Sequence, residues 1–410
     1  MQARMLQQHA YIAGVGMTAF ARHAGRGLKS LGAEALRLAL ADAGLEPQSV
    51  QAAYLANAAA PLVTGQSAVG GQVLLRELGI GGIAVVNVEN ADAGGATAFH
   101  QACAMVSAGY YDVVLACAYE KLHQADAARA DAALGNALDV ERADELQQLL
   151  RQKLRDAGLP SSGSCRLDLL GVWAWRHMHA HGTTREQLAQ VVVKNAQHAM
   201  ANPYAALRER VHADALLAAP LLTGPLGAGM CAPLVDGAAA AVVVSPRKLR
   251  ELGLRRAVRV RASVLASGWE TQDEDDIHAA EQVAQRAYTK AEIGPQDLHC
   301  IELHDPSAAC EILYYEHLGL CAPGEGGELL DSGATRLGGR LPVNPSGGLL
   351  RRGHAGAASG MAQIAELVWQ LRGEAGARQV QKARLALAHS GGGVVGREVA
   401  AIVINILESA

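Results

Sequence analysis

Three histidines and one aspartate stand where this 410-residue chain can present a side chain to a ligand. His304 and His389 each end an apolar, strand-like segment, and open α/β sheets bind ligands at the carboxyl ends of their strands. His354 lies between glycines, which let the backbone approach a ligand closely. Asp92 lies in an Asn-Ala-Asp-Ala-Gly-Gly turn before a predicted helix. Three imidazoles and a carboxylate are suited to general acid–base catalysis.

The position of Asp92 allows two interpretations. The free N–H groups and the dipole of a helix N-terminus favour negative charge, so the pattern predicts an ionised carboxylate that caps the helix. The alternative is that Asp92 acts as a catalytic base. The sequence leaves both open.

Glycine-rich segments beside two of the histidines are predicted to contact a substrate. The run Gly391–Gly393 follows His389, and its backbone N–H groups are candidate donors of an oxyanion hole, as is that of Gly353. The candidate substrate-binding residues are Asn344, Ser346, Gly347 and Met230. No dinucleotide or Walker fingerprint accompanies these glycines.

Alternating apolar segments and amphipathic helices must position these residues. Predicted strands at 10–16, 50–58, 112–118 and 238–244 alternate with helices at 28–45 and 93–108, and the last third repeats this with strands at 255–267, 298–305, 383–389 and 398–406 and helices at 277–292, 307–318 and 357–372. The alternation predicts a mainly parallel sheet covered by helices. We expect an N-terminal half at 1–254, with an inserted region at about 121–235, and a C-terminal half at 255–410.

The inserted region also contains a predicted helix start and residues that could line a substrate pocket. A capping box at Thr183 and Glu186 predicts the start of a helix. The large apolar residues Trp173, Trp175, Met178 and Met230 are candidates for lining an acyl pocket, or else belong to the core.

Composition narrows the function classes. The net charge of −4 favours neither nucleic acid nor an anionic membrane as a partner. No apolar run reaches the roughly 18 residues of a transmembrane helix, and the first residues lack a signal-peptide pattern. The seven cysteines have no Cys-x-x-Cys spacing, which predicts reduced thiols, a cytoplasmic location and no metal site.

Together, these segments resemble the thiolase superfamily, and in particular the sterol-carrier-protein type of thiolase. The resemblance covers nearly the whole chain and rests on GVGMTAF, EALRLALADAGL, GTTREQLAQVVVKNAQHAMANP, YEHLGLCAPGEGG, NPSGGLLRRGHAGAASGMAQIAELVWQLRGEAG and ALAHSGGG. It implies an α/β fold in which two duplicated βαβαβ halves form a five-layer α-β-α-β-α core with an inserted loop region. It also implies an acyl-coenzyme A thioester as substrate and no bound cofactor.

The resemblance assigns an unusual residue to the nucleophile position. In thiolases, a cysteine in a turn like Asn-Ala-Cys-Ala-Ser-Gly forms an acyl-enzyme, and Asp92 stands at its place here. A second family cysteine, after His-Asp, is replaced as well, since Pro306 and Ser307 follow His304 and Asp305. A carboxylate is a far weaker nucleophile than a thiolate, so the change disfavours thiolysis through Asp92.

The resemblance therefore suggests retro-aldol cleavage of a β-hydroxyacyl-CoA, which needs a base, an acid and an oxyanion hole but no covalent intermediate. Relatives that do this act with a small zinc-ribbon and OB-fold partner. The resemblance also implies a homodimer, paired through the strand at about 112–118. Two alternatives stay open. One is a non-catalytic thiolase-like subunit in a complex with an active thiolase or with an OB-fold and zinc-ribbon partner. The other is a β-ketoacyl-CoA thiolase or acyltransferase that uses another residue, with Cys310 as the nearest candidate.

Overall fold

The computed structural model describes residues 9–123, 127–269, 279–396 and 398–409. The first two residues of the helix predicted at 277–292 lie outside these ranges.

Within the described ranges, eleven strands form, and eight of them lie close to the predicted positions. The strands are β1 (Tyr11–Met17), β2 (Ala52–Ala56), β3 (Ala84–Val88), β4 (Val113–Glu120), β5 (Leu221–Thr223), β6 (Leu226–Gly227), β7 (Gly237–Val244), β8 (Val258–Ser267), β9 (Cys300–Glu302), β10 (Leu385–Val395) and β11 (Glu398–Glu408). The short β9 ends two residues before His304, whereas β10 continues through His389 and the three glycines.

Helices fill the segments between these strands. They are α1 (Leu28–Ala43), α2 (Ala60–Val63), α3 (Gly70–Arg76), α4 (Gly94–Ser107), α5 (Ala127–Gly135), α6 (Ala143–Asp156), α7 (Cys165–His181), α8 (Arg185–Met200), α9 (Ala213–Ala218), α10 (Pro246–Glu251), α11 (Ala279–Ala291), α12 (Ala308–His317), α13 (Gly326–Asp331), α14 (Gly348–Arg352) and α15 (Ala358–Arg372). The capping box of α8 uses Thr184 and Gln187, one residue later than the predicted Thr183 and Glu186.

The strand order repeats between the two parts of the sheet. Nine strands follow the order β3-β2-β4-β7-β1-β8-β11-β10-β9. In the first part, β2 is parallel to β3 and β4, and β7 is antiparallel to β4 and β1. In the second, β9 is parallel to β10, and β11 is antiparallel to β10 and β8. The sheet is therefore mixed rather than mainly parallel, because each half returns one strand in the opposite direction.

Helices cover both outer faces and fill the space between the two parts of the sheet. The central helices α4 and α15 contact each other and strands of both parts. Apolar residues of α1 and α3 pack on the other face of the first part, and those of α11 and α12 on the other face of the second. The predicted five-layer arrangement is confirmed. Helices α5 to α9 form the inserted region between β4 and β7, and the boundary at residue 254 stays a prediction.

The strand expected at a pairing edge is not at an edge. Strand β4 lies between β2 and β7 and pairs with both along its length. The edge strand of this half is β3, where Val86 is 44% exposed. The prediction failed because strand order depends on contacts between distant segments. In the described ranges, none of the helices combines the length and apolar character needed to cross a membrane.

Candidate active site

A cavity opens where α4 begins, beyond the end of β9 and beside the glycine run within β10. Its polar end holds Asp92, His304, His354 and the run Gly391–Gly393. Apolar side chains of the inserted region and the C-terminal half form the rest of its wall, and they include Leu134, Leu138, Leu146, Leu169, Leu170, Trp173, Tyr314, Val394 and Val399. The fold therefore gathers an aspartate, two histidines and a glycine run from distant parts of the chain against one apolar wall.

Asp92 lies on a strained turn and does not cap α4. The preceding Ala91 has a φ of 48°, in the left-handed region that L-residues rarely adopt. The N-cap of α4 is Ala93, and no side chain caps this helix. Burial raises the pKa of Asp92. The expectation that Asp92 caps the helix is therefore wrong, because its side chain lines the cavity and makes no hydrogen bond to the helix N-terminus.

The two cavity histidines lie next to this carboxyl group. His354 Nε2 is 3.7 Å from Asp92 Oδ1, an atom that has no hydrogen-bond partner within the described parts of the chain. The rings of His304 and His354 meet edge to face, with centroids 5.5 Å apart. Burial lowers the pKa of each histidine to about 3. Both imidazoles are therefore neutral over the usual working range of an enzyme.

Ser359 fixes the orientation of His354. Its hydroxyl oxygen accepts a hydrogen bond from the Ala355 N–H at 3.0 Å and lies 3.3 Å from His354 Nδ1. A hydroxyl that accepts from the backbone is free to donate its own proton to Nδ1. That arrangement favours the tautomer with the hydrogen on Nε2, which is the nitrogen nearer to Asp92.

His389 lies behind the cavity rather than in its wall. Its Nδ1 accepts a hydrogen bond from the His304 N–H at 3.5 Å, and its ring centroid lies 4.2 Å from that of Tyr314. It is fully buried, and burial lowers its pKa. This geometry fits a residue that positions the backbone of His304.

The glycine run forms one side of the cavity because strand pairing stops there. The pairing of β9 with β10 ends at Ala388 and Glu302, which leaves the β10 edge beyond this point without that neighbour. A Cβ atom on Gly392 would lie 2.4 Å from Ala93 N and Asn90 O, so only glycine lets the Asp92 turn pack this closely. These contacts hold the backbone of 391–393 beside the Asp92 turn.

The other predicted contact residues support the site from behind and do not line the cavity. Asn344 Oδ1 accepts from the Leu303 N–H at 2.9 Å, which orients the segment leading to His304. Ser346 Oγ donates to the carboxylate of Glu302 at 2.7 Å. The remaining members of this set are Gly347, which packs against α8, Gly353, which packs against Val235, and Met230, which is fully buried in the core.

Glu120 is a buried titratable group near Asp92 that the sequence analysis missed. It ends β4, is fully buried and accepts hydrogen bonds from the Ala58 and Ala59 N–H groups. Burial raises its pKa to about 8, opposed by these hydrogen bonds and helped by the nearby charge of Asp92. A glutamate that ends an otherwise apolar strand, DVVLACAYE, was the available signal.

Among the large apolar residues proposed for the pocket, Trp173 lines the cavity and Trp175 and Met178 do not. Cys310 is fully buried and accepts a hydrogen bond from Ser307, which fits a core residue. The sequence predicted no metal site, yet ligand atoms of Asp92, His304 and His354 all lie within 4.8 Å of one another. That spacing would allow them to hold one divalent ion.

Family comparison agrees with the fold. Residues 10–211 match the thiolase N-terminal domain, and residues 266–405 match the thiolase C-terminal domain-like family. The chain belongs to the thiolase family.

Individual relatives differ in the activity that their names give. Benzoylsuccinyl-CoA thiolase subunit BbsB of Thauera aromatica is 35% identical, over 95% of this chain and 96% of that protein. Sterol carrier protein 2 of Rattus norvegicus is 34% identical, over 93% of this chain and 69% of that protein. Among solved structures, the Ltp2-ChsH2(DUF35) aldolase has a TM-score of 0.77 and 26% identity, with 98% of each chain covered. The family thus includes relatives named for thiolysis, for sterol carriage and for aldol chemistry.

Proposed function

We propose that this protein cleaves a carbon–carbon bond in an acyl-coenzyme A thioester by a retro-aldol reaction on a β-hydroxyacyl group. The single observation that carries the proposal is the polar end of the cavity, where Asp92 faces two neutral histidines. These groups suit proton transfer, and a carboxyl group at this place does not suit acyl transfer. The apolar wall would hold the acyl chain.

Asp92 is the proposed base. A carboxylate whose pKa is raised by burial is a stronger base than one in water, so it can take the proton of the substrate's β-hydroxyl group. The oxygen then forms a carbonyl, the Cα–Cβ bond breaks, and its electron pair passes to the thioester as an enolate. The proton held by Asp92 returns to Cα. The products are an aldehyde or ketone and a shortened acyl-CoA, and no free coenzyme A is consumed.

The neutral histidines are the proposed donors to the enolate oxygen. An imidazole that is neutral can still donate its N–H group, and a buried donor that is already oriented stabilises developing charge without further rearrangement. The contact with Ser359 supports this role for Nε2 of His354. Backbone N–H groups of the run Gly391–Gly393 are additional candidates for the same oxygen.

A thiolase or acyltransferase reaction is the second candidate function. It is favoured by the 35% identity to the benzoylsuccinyl-CoA thiolase subunit and by the 37% identity to an acetyl-CoA acetyltransferase of Methanothermobacter thermautotrophicus. This candidate needs a thiol in the cavity. Cys165 lines the wall, and burial raises its pKa, which works against thiolate formation.

The partners of the chain are part of the same proposal. The solved Ltp2-ChsH2(DUF35) aldolase is named for a chain together with a DUF35 protein, which supports an OB-fold and zinc-ribbon partner here. The exposed edge strand β3 supports a homodimer formed by pairing of the edges of two copies. A scaffold subunit without activity is the remaining alternative, and a cytoplasmic location fits each of these roles.

Product analysis distinguishes the candidates. The purified chain, alone and with a DUF35-type partner, is incubated with a β-hydroxyacyl-CoA, and separately with a β-ketoacyl-CoA and free coenzyme A. Retro-aldol cleavage gives a carbonyl product and a shorter acyl-CoA from the hydroxy substrate, with free coenzyme A unchanged. Cleavage of the keto substrate alone, with coenzyme A consumed, would refute the proposal. Failure to bind either acyl-CoA in both preparations would favour the scaffold subunit.

A further inference from the structure

A second cluster of two histidines and one carboxylate lies between α7 and α12, outside the candidate active site. His177 and His181 are one helical turn apart near the end of α7, so they lie on the same face of the helix. Glu316 comes from the last turn of α12. All three residues line a second cavity.

The distances within this cluster suit a single metal ion. His177 Nε2 lies 3.0 Å from Glu316 Oε1, and the two histidine ring centroids are 4.9 Å apart. One ligand atom from each of the three residues lies within 4.8 Å of the others. Tetrahedral zinc with bonds of about 2.0–2.2 Å separates its ligand atoms by roughly 3.3–3.6 Å, so small movements of these side chains would bring them to zinc-binding distances.

Neighbouring groups hold the two buried ligands in orientations that suit a metal. Thr183 Oγ1 lies 2.9 Å from His177 Nδ1, and this contact leaves Nε2 directed toward Glu316. Glu316 Oε1 also accepts from the Gly326 N–H at 2.9 Å. Such partners fix the orientation of metal ligands in proteins.

The loop after α12 leaves space for the third ligand. A Cβ atom on Gly324 would lie 2.9 Å from His181 Nδ1, and Gly324 has a φ of 86°. The backbone conformation therefore favours glycine, and the absence of a side chain leaves room for the imidazole of His181. His181 is itself exposed, so an ion can reach the cluster from solvent.

We propose that His177, His181 and Glu316 form a binding site for a divalent transition metal, with zinc as the ion that best fits two imidazoles and one carboxylate. Imidazole ligands favour zinc over calcium and magnesium, which prefer oxygen ligands. Three protein ligands leave a fourth position for water.

The position of the site points to a structural role. Helix α7 runs from the active cavity, where Cys165 and Leu169 line the wall, to the metal ligands at its other end, and Trp173 lines both cavities. Helix α12 contributes Tyr314 to the active cavity. A metal bound between these helices links the inserted region to the C-terminal half. It would stabilise the wall that holds the acyl chain.

Zinc binding to matched variants tests the proposal. The full-length chain is stripped with a chelator and titrated with zinc in competition with a chromophoric chelator. The melting temperature is measured with and without zinc. We compare wild type with His181→Ala and with His179→Ala, an exposed histidine of the same helix that is outside the cluster. Wild type and His179→Ala should bind one more zinc per chain than His181→Ala, and only they should melt at a higher temperature with that zinc.

The histidines of the active cavity provide the necessary counter-test. Zinc stoichiometry is also measured for His354→Ala, and cobalt replaces zinc to give a visible spectrum that reports the ligands. Loss of the tight site in His354→Ala but not in His181→Ala would place the metal in the active cavity and overturn the proposal. Equal zinc binding by wild type and His181→Ala would also overturn it.

Discussion

The chain brings two histidines and a carboxylate together twice, and the pKa of the carboxyl group shifts in opposite directions in the two clusters. In the active cavity, burial raises the pKa of Asp92 and lowers that of His304 and His354 to about 3. Between α7 and α12, hydrogen bonds outweigh burial and lower the pKa of Glu316. The same residue types thus favour proton transfer in one place and a fixed negative charge in the other.

The difference lies in the groups that surround each carboxylate. Glu316 receives hydrogen bonds from His177 and from the backbone of the following loop, and these stabilise its charged form. Asp92 Oδ1 lacks a partner within the described ranges, so burial dominates. Residue type alone therefore does not determine whether such a cluster serves proton transfer or metal binding.

The largest expected effect concerns the active cavity. His354→Ala removes a proposed donor to the enolate, and we expect the rate of carbon–carbon cleavage to fall by roughly two to four orders of magnitude. His179→Ala is the control, since that side chain is exposed and does not line the active cavity. Steady-state rates for both variants test this, and a His354→Ala enzyme with near wild-type turnover would remove His354 from the mechanism.

Glu120→Gln tests whether a buried carboxyl group near Asp92 is neutral. In the unfolded chain, a glutamate loses its proton above its usual pKa of 4.5. In the folded protein, the pKa of Glu120 is about 8, so it keeps its proton up to that pH. The unfolded state therefore binds fewer protons in this window, and wild-type stability should fall as pH rises through it, by on the order of 4 kcal/mol. Glutamine cannot ionise, so the variant should lose this part of the pH dependence.

Urea unfolding at pH 5 and pH 8 measures this change. Glu46→Gln, which alters an exposed carboxylate, is the control and should keep the wild-type pH dependence. Identical slopes for wild type and Glu120→Gln would show that Glu120 is ionised in the folded protein.

Gly392→Ala tests the close packing of the glycine run against the Asp92 turn. The added methyl group would lie 2.4 Å from backbone atoms of Asn90 and Ala93, and we expect a loss of about 2–3 kcal/mol in the free energy of unfolding. Gly391→Ala is the matched control, because its nearest neighbour would be a side-chain atom of Val399 at 3.2 Å. Equal losses in both variants would argue against this contact.

The smallest expected effect concerns the second cluster. Thr183→Val removes the hydroxyl group that orients His177, and we expect zinc affinity to fall by roughly 10- to 100-fold while the stoichiometry is unchanged. Competition titration with a chromophoric chelator measures the affinity. Unchanged zinc affinity would mean that Thr183 does not orient His177. The titration of His181→Ala tests the metal site itself.

Much of the fold could be predicted because its signals are local. The spacing of apolar residues and the capping residues predict the positions of the long helices. Apolar segments predict the positions of the strands to within a few residues. Strand order could not be read in this way, and β4 was therefore assigned to an edge although it lies inside the sheet. The capping box was displaced by one residue because Thr183 and Thr184 both fit its pattern.

The site was predictable in its residue types but less so in its geometry. The glycine and histidine motifs indicated His304 and His354, and both line the cavity. The direction of the Asp92 side chain depends on the positive φ of Ala91, and no local sequence pattern predicts that backbone conformation. The sequence did not indicate Glu120 or Glu316, because the groups that each of them contacts are distant in the chain.

The short ladder between β1 and β8 has a consequence for how the molecule opens. Tyr11 pairs with Arg259 and Ile12 with Val258, so the two parts of the sheet share one continuous set of backbone hydrogen bonds. Separation of the halves would expose the apolar layer around α4 and α15 to water. We therefore expect the amide protons of these central strands and helices to exchange with deuterium only when the whole protein unfolds, and those of the edge strand β3 to exchange much earlier.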